Sequence, residues 1–222
     1  MKPIVVLGGG GHARVLLDLI KANDQYEAVG ILDADSTRVG LDFQDIPILG
    51  TDDLLPNLAS KGIDCAAIGI GSVGNKNKFA RRDAFLKART AGLELPPLVH
   101  HTAFVSPSAT FTEGCQIMAG VIVQASAHLG ENVLVNTGAI VEHDCNIGAH
   151  THIAPGVCLS GTVSVGENCF IGLGARLIQN TNLGNNVIVG AGAIVLNDAG
   201  DDQILIGVPA TAKSLNAQSA DS

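Results

Sequence analysis

The chain has 222 residues and a formal net charge of −8; 46% of it is hydrophobic but only 3% aromatic, with one Tyr and no Trp. A core so poor in rings is narrow and filled by aliphatic and small side chains, which argues against a bundle or sandwich built on large aromatics and for a repeat architecture. The acidic balance and the lack of any basic run exclude nucleic acid and anionic membranes as partners, and no apolar stretch is long enough to span a bilayer.

A strand is expected almost at once after Met1, which leaves no room for a signal peptide. Five cysteines, an odd number without CxxC spacing, predict a reduced cytoplasmic protein without a metal site. Residues 3–7 read as a buried strand. Gly8-Gly9-Gly10-Gly11-His12-Ala13 follows, and then a helical pattern through Val15, Leu16, Leu19 and Ile20. A second strand at 28–32 ends on Asp33, with Asp35 two places on. Strand, glycine loop, helix, strand and acid make the GxGxxA form of a Rossmann-like nucleotide site. Its glycines let backbone N–H groups approach a diphosphate at a helix N-terminus. The unit is short and no second half follows, so a mononucleotide or nucleotide sugar fits better than a dinucleotide. A third strand is expected at 65–70, ending at Gly71-Ser72, an amphipathic helix at 77–91, and a short strand at 98–99. The junction runs through Pro96-Pro97 to Pro107, with domains assigned to 1–103 and 104–222.

From Val105 an aliphatic or Phe residue recurs every sixth position through Val195, sixteen times without a slip. Three residues after it, Gly, Asn or Asp fills 12 of the 16 places, types that tolerate the positive φ of a tight corner. Four residues after it comes a small or β-branched side chain. Each hexad is thus a short strand and a corner, with one large and one small residue pointing inward. Cys115, Cys145 and Cys169 occupy the small inward place and read as buried hydrophobes. Cys158 falls one place later, and nothing marks it as activated. An acyl-cysteine intermediate is not expected.

The hexad pattern resembles the hexapeptide-repeat acyltransferases, which are left-handed parallel β-helices with three hexads to a coil. The hand is implied by the resemblance, since the general crossover rule gives the other one. A narrower resemblance rests on GGGGHA at 8–13, Asp33, VSPSA at 105–109, VNTG at 135–138, VEHDC at 141–145 and GVPA at 207–210. Together these are similar to the bacterial sugar acetyltransferases of the NeuD/PglD type, over nearly the whole chain.

That resemblance implies acetyl-CoA as co-substrate and a sugar carrying an amine on a nucleoside diphosphate as acceptor. The reaction implied is N-acetylation of the 4-amino group of a 4-amino-4,6-dideoxy sugar, linked to UDP in the first instance, with GDP and dTDP open. It also implies a homotrimer with active sites between subunits. His143 would be the general base, the usual task of an imidazole near neutral pH, and Asp144 its partner. Taken alone, Asp144 is a corner residue and His143 an outward one; the VEHDC segment as a whole gives them the catalytic reading. Asn136 would orient substrate. His152 would contact acetyl-CoA, with Leu173 and Ala191 along the same cofactor track. Gly10, Gly11, His12, Asp33 and Gly71 match substrate contacts; Asp35 joins them because Ala34 replaces a second acid of some relatives. Lys213 stands as the cation for the cofactor, displaced from GVPA by Thr211-Ala212, with Arg176 the only basic residue between 105 and 200.

Other functions stay in view. O-acetylation of sialic acid or another glycan precursor would use the same base. A metal-dependent lyase would need converging histidines, but His128, His143, His150 and His152 are not spaced by multiples of 18. A noncatalytic module binding a nucleotide sugar is the third reading.

Overall fold

The computed structural model describes residues 1–71 and 79–214. Its N-terminal part is a five-stranded sheet in the order β3-β4-β2-β1-β5. The elements are β1 (Lys2–Leu7), α1 (Gly11–Lys21), β2 (Tyr26–Leu32), β3 (Asp42–Phe43), β4 (Ile46–Gly50), α2 (Leu55–Leu58), β5 (Cys65–Ile68) and α3 (Ala80–Thr90). All neighbours are parallel except β3 against β4. Side chains on β1 alternate, as strand geometry requires. Ile4 and Val6 share a core with Leu16 and Ile20 of α1, while Val5 and Leu7 pack with Leu58 of α2 and Phe85 of α3. Both faces are therefore covered, which is why β1 reads as a continuous apolar run. The β3–β4 hairpin was not visible in the sequence. The third strand ends at Ile68, and α3 begins at Ala80; the first residues expected for it, Asn77 and Lys78, and Ser72 at the strand end lie outside the described residues.

The rest of the chain is a left-handed parallel β-helix. One two-residue strand falls in each hexad, from β7 (Phe104–Val105) through β22 (Ile194–Val195), with β6 (Leu98–Val99) one hexad earlier. Val99 lies six places before Val105, so the phase of the repeat already included it. Strands pair with the strand eighteen residues on, as Gln116–Ile117 does with Leu134–Val135 and that pair with His152–Ile153. The prism has three faces. The first carries β6, β9 (Gln116–Ile117), β12 (Leu134–Val135), β15 (His152–Ile153), β18 (Phe170–Ile171) and β21 (Ile188–Val189). It is extended by β23 (Gln203–Gly207), which forms an antiparallel hairpin with β24 (Ala210–Ser214). The second face runs from β7 to β22 and the third from Thr110–Phe111 to Asn182–Leu183.

The interior is aliphatic, with Ile117, Val135, Ile153, Ile171 and their equivalents fully buried. Cys145 and Cys169 are buried among them, and desolvation pushes their thiols up to about 11 and about 12. Nucleophilic thiolate chemistry is closed to both at neutral pH. Every corner from Gly114 to Gly192 has a positive φ, between 54° and 70°. Asn132, Asp144, Asn168, Asn180 and Asn186 accept this readily, but Ser126, His150 and Thr162 hold it too. The coil imposes the corner on whatever residue stands there. No helix among the described residues is long and apolar enough to cross a membrane.

Thr162 is an exposed, β-branched residue at φ 61°, a conformation that costs L side chains about 1–2 kcal/mol. Thr162→Asn is therefore expected to raise the unfolding free energy by about 1 kcal/mol in a urea titration. An unchanged or lower value would show that the corner carries no such strain.

Candidate active site

The glycine loop follows β1 and enters α1 with Gly10 as an extended N-cap. Among the described residues no side chain caps the helix, and no acid stands in its first turn, so its first N–H groups are open to an anion. A Cβ at Gly8 would lie 2.5 Å from Ile70, and Gly8 holds a φ of 95°, so this place admits only glycine. Among the described residues, nothing lies within 4 Å of where a Cβ would stand at Gly10 or Gly11.

Asp33 is committed to shaping this loop. Its carboxylate accepts from the N–H of Gly9 at 3.2 Å and of Asp35 at 3.0 Å, and pairs with Arg38, which also donates to Gly9 O at 3.1 Å. Asp35 caps the turn at Ser36–Arg38, accepting from Thr37 N at 3.0 Å and Thr37 Oγ1 at 2.6 Å. These bonds hold its carboxyl below the usual range. Arg14 and Arg38 both lie against the ring of Phe43, beside the loop.

A cleft of about 420 Å³ lies where the two parts of the molecule meet, lined by Gly11, His12 and Gly71 on one side and Asn136, His152 and Leu173 on the other. Six residues singled out from the sequence thus come together across more than a hundred positions of chain. A larger hollow of about 520 Å³ opens at the C-terminal end of α1 near Tyr26; it contains none of them.

In the cleft, His12 Nε2 lies 2.8 Å from Gln116 Oε1. Burial, helped by the nearby Arg81 guanidinium, pushes the His12 imidazole down to about 4, so it is neutral at pH 7. His152 is buried edge-on to Phe170, with ring centroids 5.3 Å apart. Asn136 Oδ1 accepts from Thr137 N at 2.8 Å, which turns its Nδ2 towards His152 Nε2 at 3.2 Å. His152 Nε2 is therefore an acceptor, and its N–H is at Nδ1. Ala191 lies one coil on from Leu173 along the same edge. Among the described residues, neither backbone N–H has a protein acceptor. Lys213 is exposed on β24, opposite Ile204 and outside the cleft lining.

His143 and Asp144 stand elsewhere. They lie at the edge between the second and third faces, whereas Asn136, Leu173 and Ala191 lie at the edge between the first and second. Asp144 holds the corner at φ 58° and its Oδ2 accepts from His143 Nδ1 at 2.8 Å. With the proton fixed at Nδ1, Nε2 presents a lone pair, as a general base must. Both side chains are more than half exposed, so the pair contributes orientation rather than stability.

The sequence reading missed Gly161. It stands one coil after His143, and a Cβ there would lie 2.5 Å from His143 Nε2 and Cε1. The ring rests on this bare backbone. Once a coil of eighteen is known, a bulky outward side chain calls for a small residue eighteen places on, and that signal was present. Of the four histidines considered for a metal, His150 is bonded to Asn132 at 3.0 Å in a separate buried corner. Among the described residues, no cluster of three or more His, Cys, Asp or Glu could hold an ion.

Fold and site define an acyltransferase class: a β-helix bearing a tautomer-fixed histidine, joined to a phosphate-type glycine loop. Family profiles agree, matching the PglD N-terminal domain at residues 3–82, the bacterial transferase hexapeptide at 126–161 and the hexapeptide repeat of succinyl-transferase at 162–197. A histidine-to-asparagine variant of perosamine N-acetyltransferase from Caulobacter crescentus, solved with CoA and GDP-perosamine, is 40% identical with a TM-score of 0.88, over 96% of this chain and 97% of that one. The acetyltransferase domain of PglB from Neisseria gonorrhoeae, solved with acetyl coenzyme A, is 37% identical with a TM-score of 0.86, over 96% and 99%. WeeI from Acinetobacter baumannii, at 20% identity and TM-score 0.75, shares the fold over 95% and 99%. Comparison with curated protein sequences gives no match. The chain belongs to the hexapeptide-repeat sugar N-acetyltransferases that carry a PglD-type N-terminal domain.

Gly161→Ala is expected to turn the exposed His143 ring away while leaving the coil intact. Turnover should fall about tenfold or more, since small displacements of a reacting group cost that much, with the unfolding midpoint kept within about 2 °C. Wild-type turnover in this variant would show that the ring position is immaterial.

Proposed function

We propose that the protein transfers the acetyl group of acetyl-CoA to the 4-amino group of a nucleoside-diphosphate-linked 4-amino-4,6-dideoxy sugar. The observation that carries this reading is the cleft, which joins the open glycine loop and His12 to Asn136 and His152 on the prism. Residues 1–103 hold the nucleotide sugar and residues 104–222 carry out the transfer. The diphosphate lies against the N–H groups at Gly10 and Gly11, with Asp33 and Asp35 shaping the loop and the nucleoside side of the site. The sugar extends past His12, Gly71 and Asn136 towards the prism. Acetyl-CoA lies along the edge marked by His152, Leu173 and Ala191, with Lys213 as a cation for its phosphates.

The amine attacks the thioester carbonyl, and backbone N–H groups meet the developing oxyanion. His143 Nε2 takes the proton that the nitrogen loses, and Asp144 stabilises the resulting imidazolium. The tetrahedral intermediate collapses with cleavage of the C–S bond, and the imidazolium returns the proton to the departing sulfur. The products are the amide and free CoA.

His143 and the cleft lie on different edges of one prism. We therefore place the complete site between neighbouring copies of a homotrimer, His143 of one copy reaching the cleft of the next. Ile178 and Leu196, exposed along the same edge as His143, support a packed interface there. Five free cysteines fit a reducing, cytoplasmic setting. The Caulobacter crescentus relative was solved with GDP-perosamine, so a GDP-linked amino sugar is the first acceptor to try, beside the UDP sugar expected from the sequence.

The test is a panel of GDP-, UDP- and dTDP-linked 4-amino sugars and free sialic acid, with release of CoA thiol as the readout. One amino sugar nucleotide is expected to exceed the others, and His143→Ala to lower its kcat by about 10²–10⁴-fold with its Kd unchanged. Thiol release with sialic acid alone, or full activity of His143→Ala, would overturn the reading.

A further inference from the structure

Gln116 and Arg81 had no place in the sequence reading, yet both are buried to within 2% of full exclusion, at the joint between the two parts of the molecule. Gln116 stands on β9 of the first face. Its Nε2 donates to Ile68 O at 2.9 Å, at the end of β5. Arg81, on α3, donates from Nη1 to Ile68 O at 3.2 Å, Ile70 O at 3.0 Å and Gln116 Oε1 at 3.3 Å, and from Nε to Asn132 O at 3.3 Å. The orientation of the Gln116 amide follows from these partners. A carbonyl oxygen can only accept, so Ile68 O takes the NH2 end. Arg81 can only donate, so it takes the oxygen end. Reversing the amide would set oxygen against oxygen and NH2 against guanidinium. His12 faces the same oxygen, so its Nε2 must carry the hydrogen.

We propose that Gln116 and Arg81 are positioning residues that hold His12 as its Nε2–H tautomer, leaving Nδ1 as an acceptor for the substrate's amino group in the cleft. This rests on the function proposed above. Nδ1 meets no hydrogen-bonding partner among the described residues, and it is the one acceptor the His12 side chain has left to offer. An acceptor there takes an N–H of the amine and fixes where the nitrogen lone pair points, which decides whether the attack geometry is met. Arg81, from α3, also disfavours a second proton on His12; among the described residues, His152, from β15, is the other titratable group lining the cleft.

The experiment is histidine-selective nitrogen NMR of the full-length protein, with the His12 signal assigned by its loss in His12→Gln. The expected spectrum shows His12 neutral and protonated at Nε2 at pH 7 and still so at pH 5.5. This needs no turnover, so it is independent of the proposed reaction. Gln116→Leu is expected to release the tautomer preference and raise KM for the sugar nucleotide about tenfold, with KM for acetyl-CoA unchanged. Gln116→Glu keeps the acceptor and adds a negative charge. It should retain Nε2–H, raise the pKa of His12, and move the acid limb of the activity profile to higher pH. An Nδ1–H tautomer or an imidazolium at pH 7 in the wild type would overturn the proposal, as would a Gln116→Leu variant with unchanged tautomer and KM. Failure to acetylate any amino sugar nucleotide, with the Nε2–H spectrum intact, would instead overturn the function and the role given to Nδ1.

Discussion

Eighteen residues per coil is the constraint on which the rest of the molecule depends. Each strand bonds to the strand eighteen residues on, and each corner repeats at the same interval with a positive φ. The chain therefore stacks like on like, and any residue that leaves the pattern does so against fixed neighbours. Three faces with so little interior favour aliphatic and small side chains. That is why a 222-residue protein has no Trp and one Tyr.

The stacking also places the chemistry. On the first face the outward column reads Leu98, Gln116, Leu134, His152, Phe170 and Ile188, mostly apolar, and four of the six are buried. This is the face on which α1 and α3 pack, and its two polar members, Gln116 and His152, sit where the cleft is formed. At the far edge, Gly161 leaves space for the His143 ring one coil below it. The buried Arg81 closes the joint. It gives up hydration for carbonyl oxygens alone, and desolvation lowers its pKa to about 9. A guanidinium in that setting is costly to bury, and only Nε and Nη1 make bonds, Nη2 meeting no partner among the described residues. Its four acceptors, drawn from both parts of the chain, fix how the glycine loop faces the prism.

Much of this was legible in the sequence. The hexad phase declared the prism, and the glycine loop between a strand and a helix declared the nucleotide fold. Six of the residues named for the site line one cleft. Other parts were legible only in principle. Val99 was in phase, and Gly161 stands eighteen residues after a histidine, but both require the coil to be drawn before they carry meaning. Gln116 and Arg81 were not legible. Their roles arise from a contact between elements 35 residues apart in sequence, set by how the first domain docks. The aspartates divide in the same way. Asp33 was marked by its place after a strand, but that its carboxylate serves Gly9, Asp35 and Arg38 is a product of tertiary packing.

The proposed function requires that His143, as base, and the substrate cleft, on different edges of one prism, combine only between copies. Mixing two variants, each lacking one part of the site and each expected to lose turnover alone, tests this most directly. His143→Ala keeps an intact cleft, and His12→Ala keeps an intact base. Co-expressed and purified as mixed assemblies, they should regain a measurable part of wild-type turnover, because His143 of one chain completes the cleft of the other. Mixed assemblies as inactive as either variant alone would contradict the account and place the whole site within a single chain.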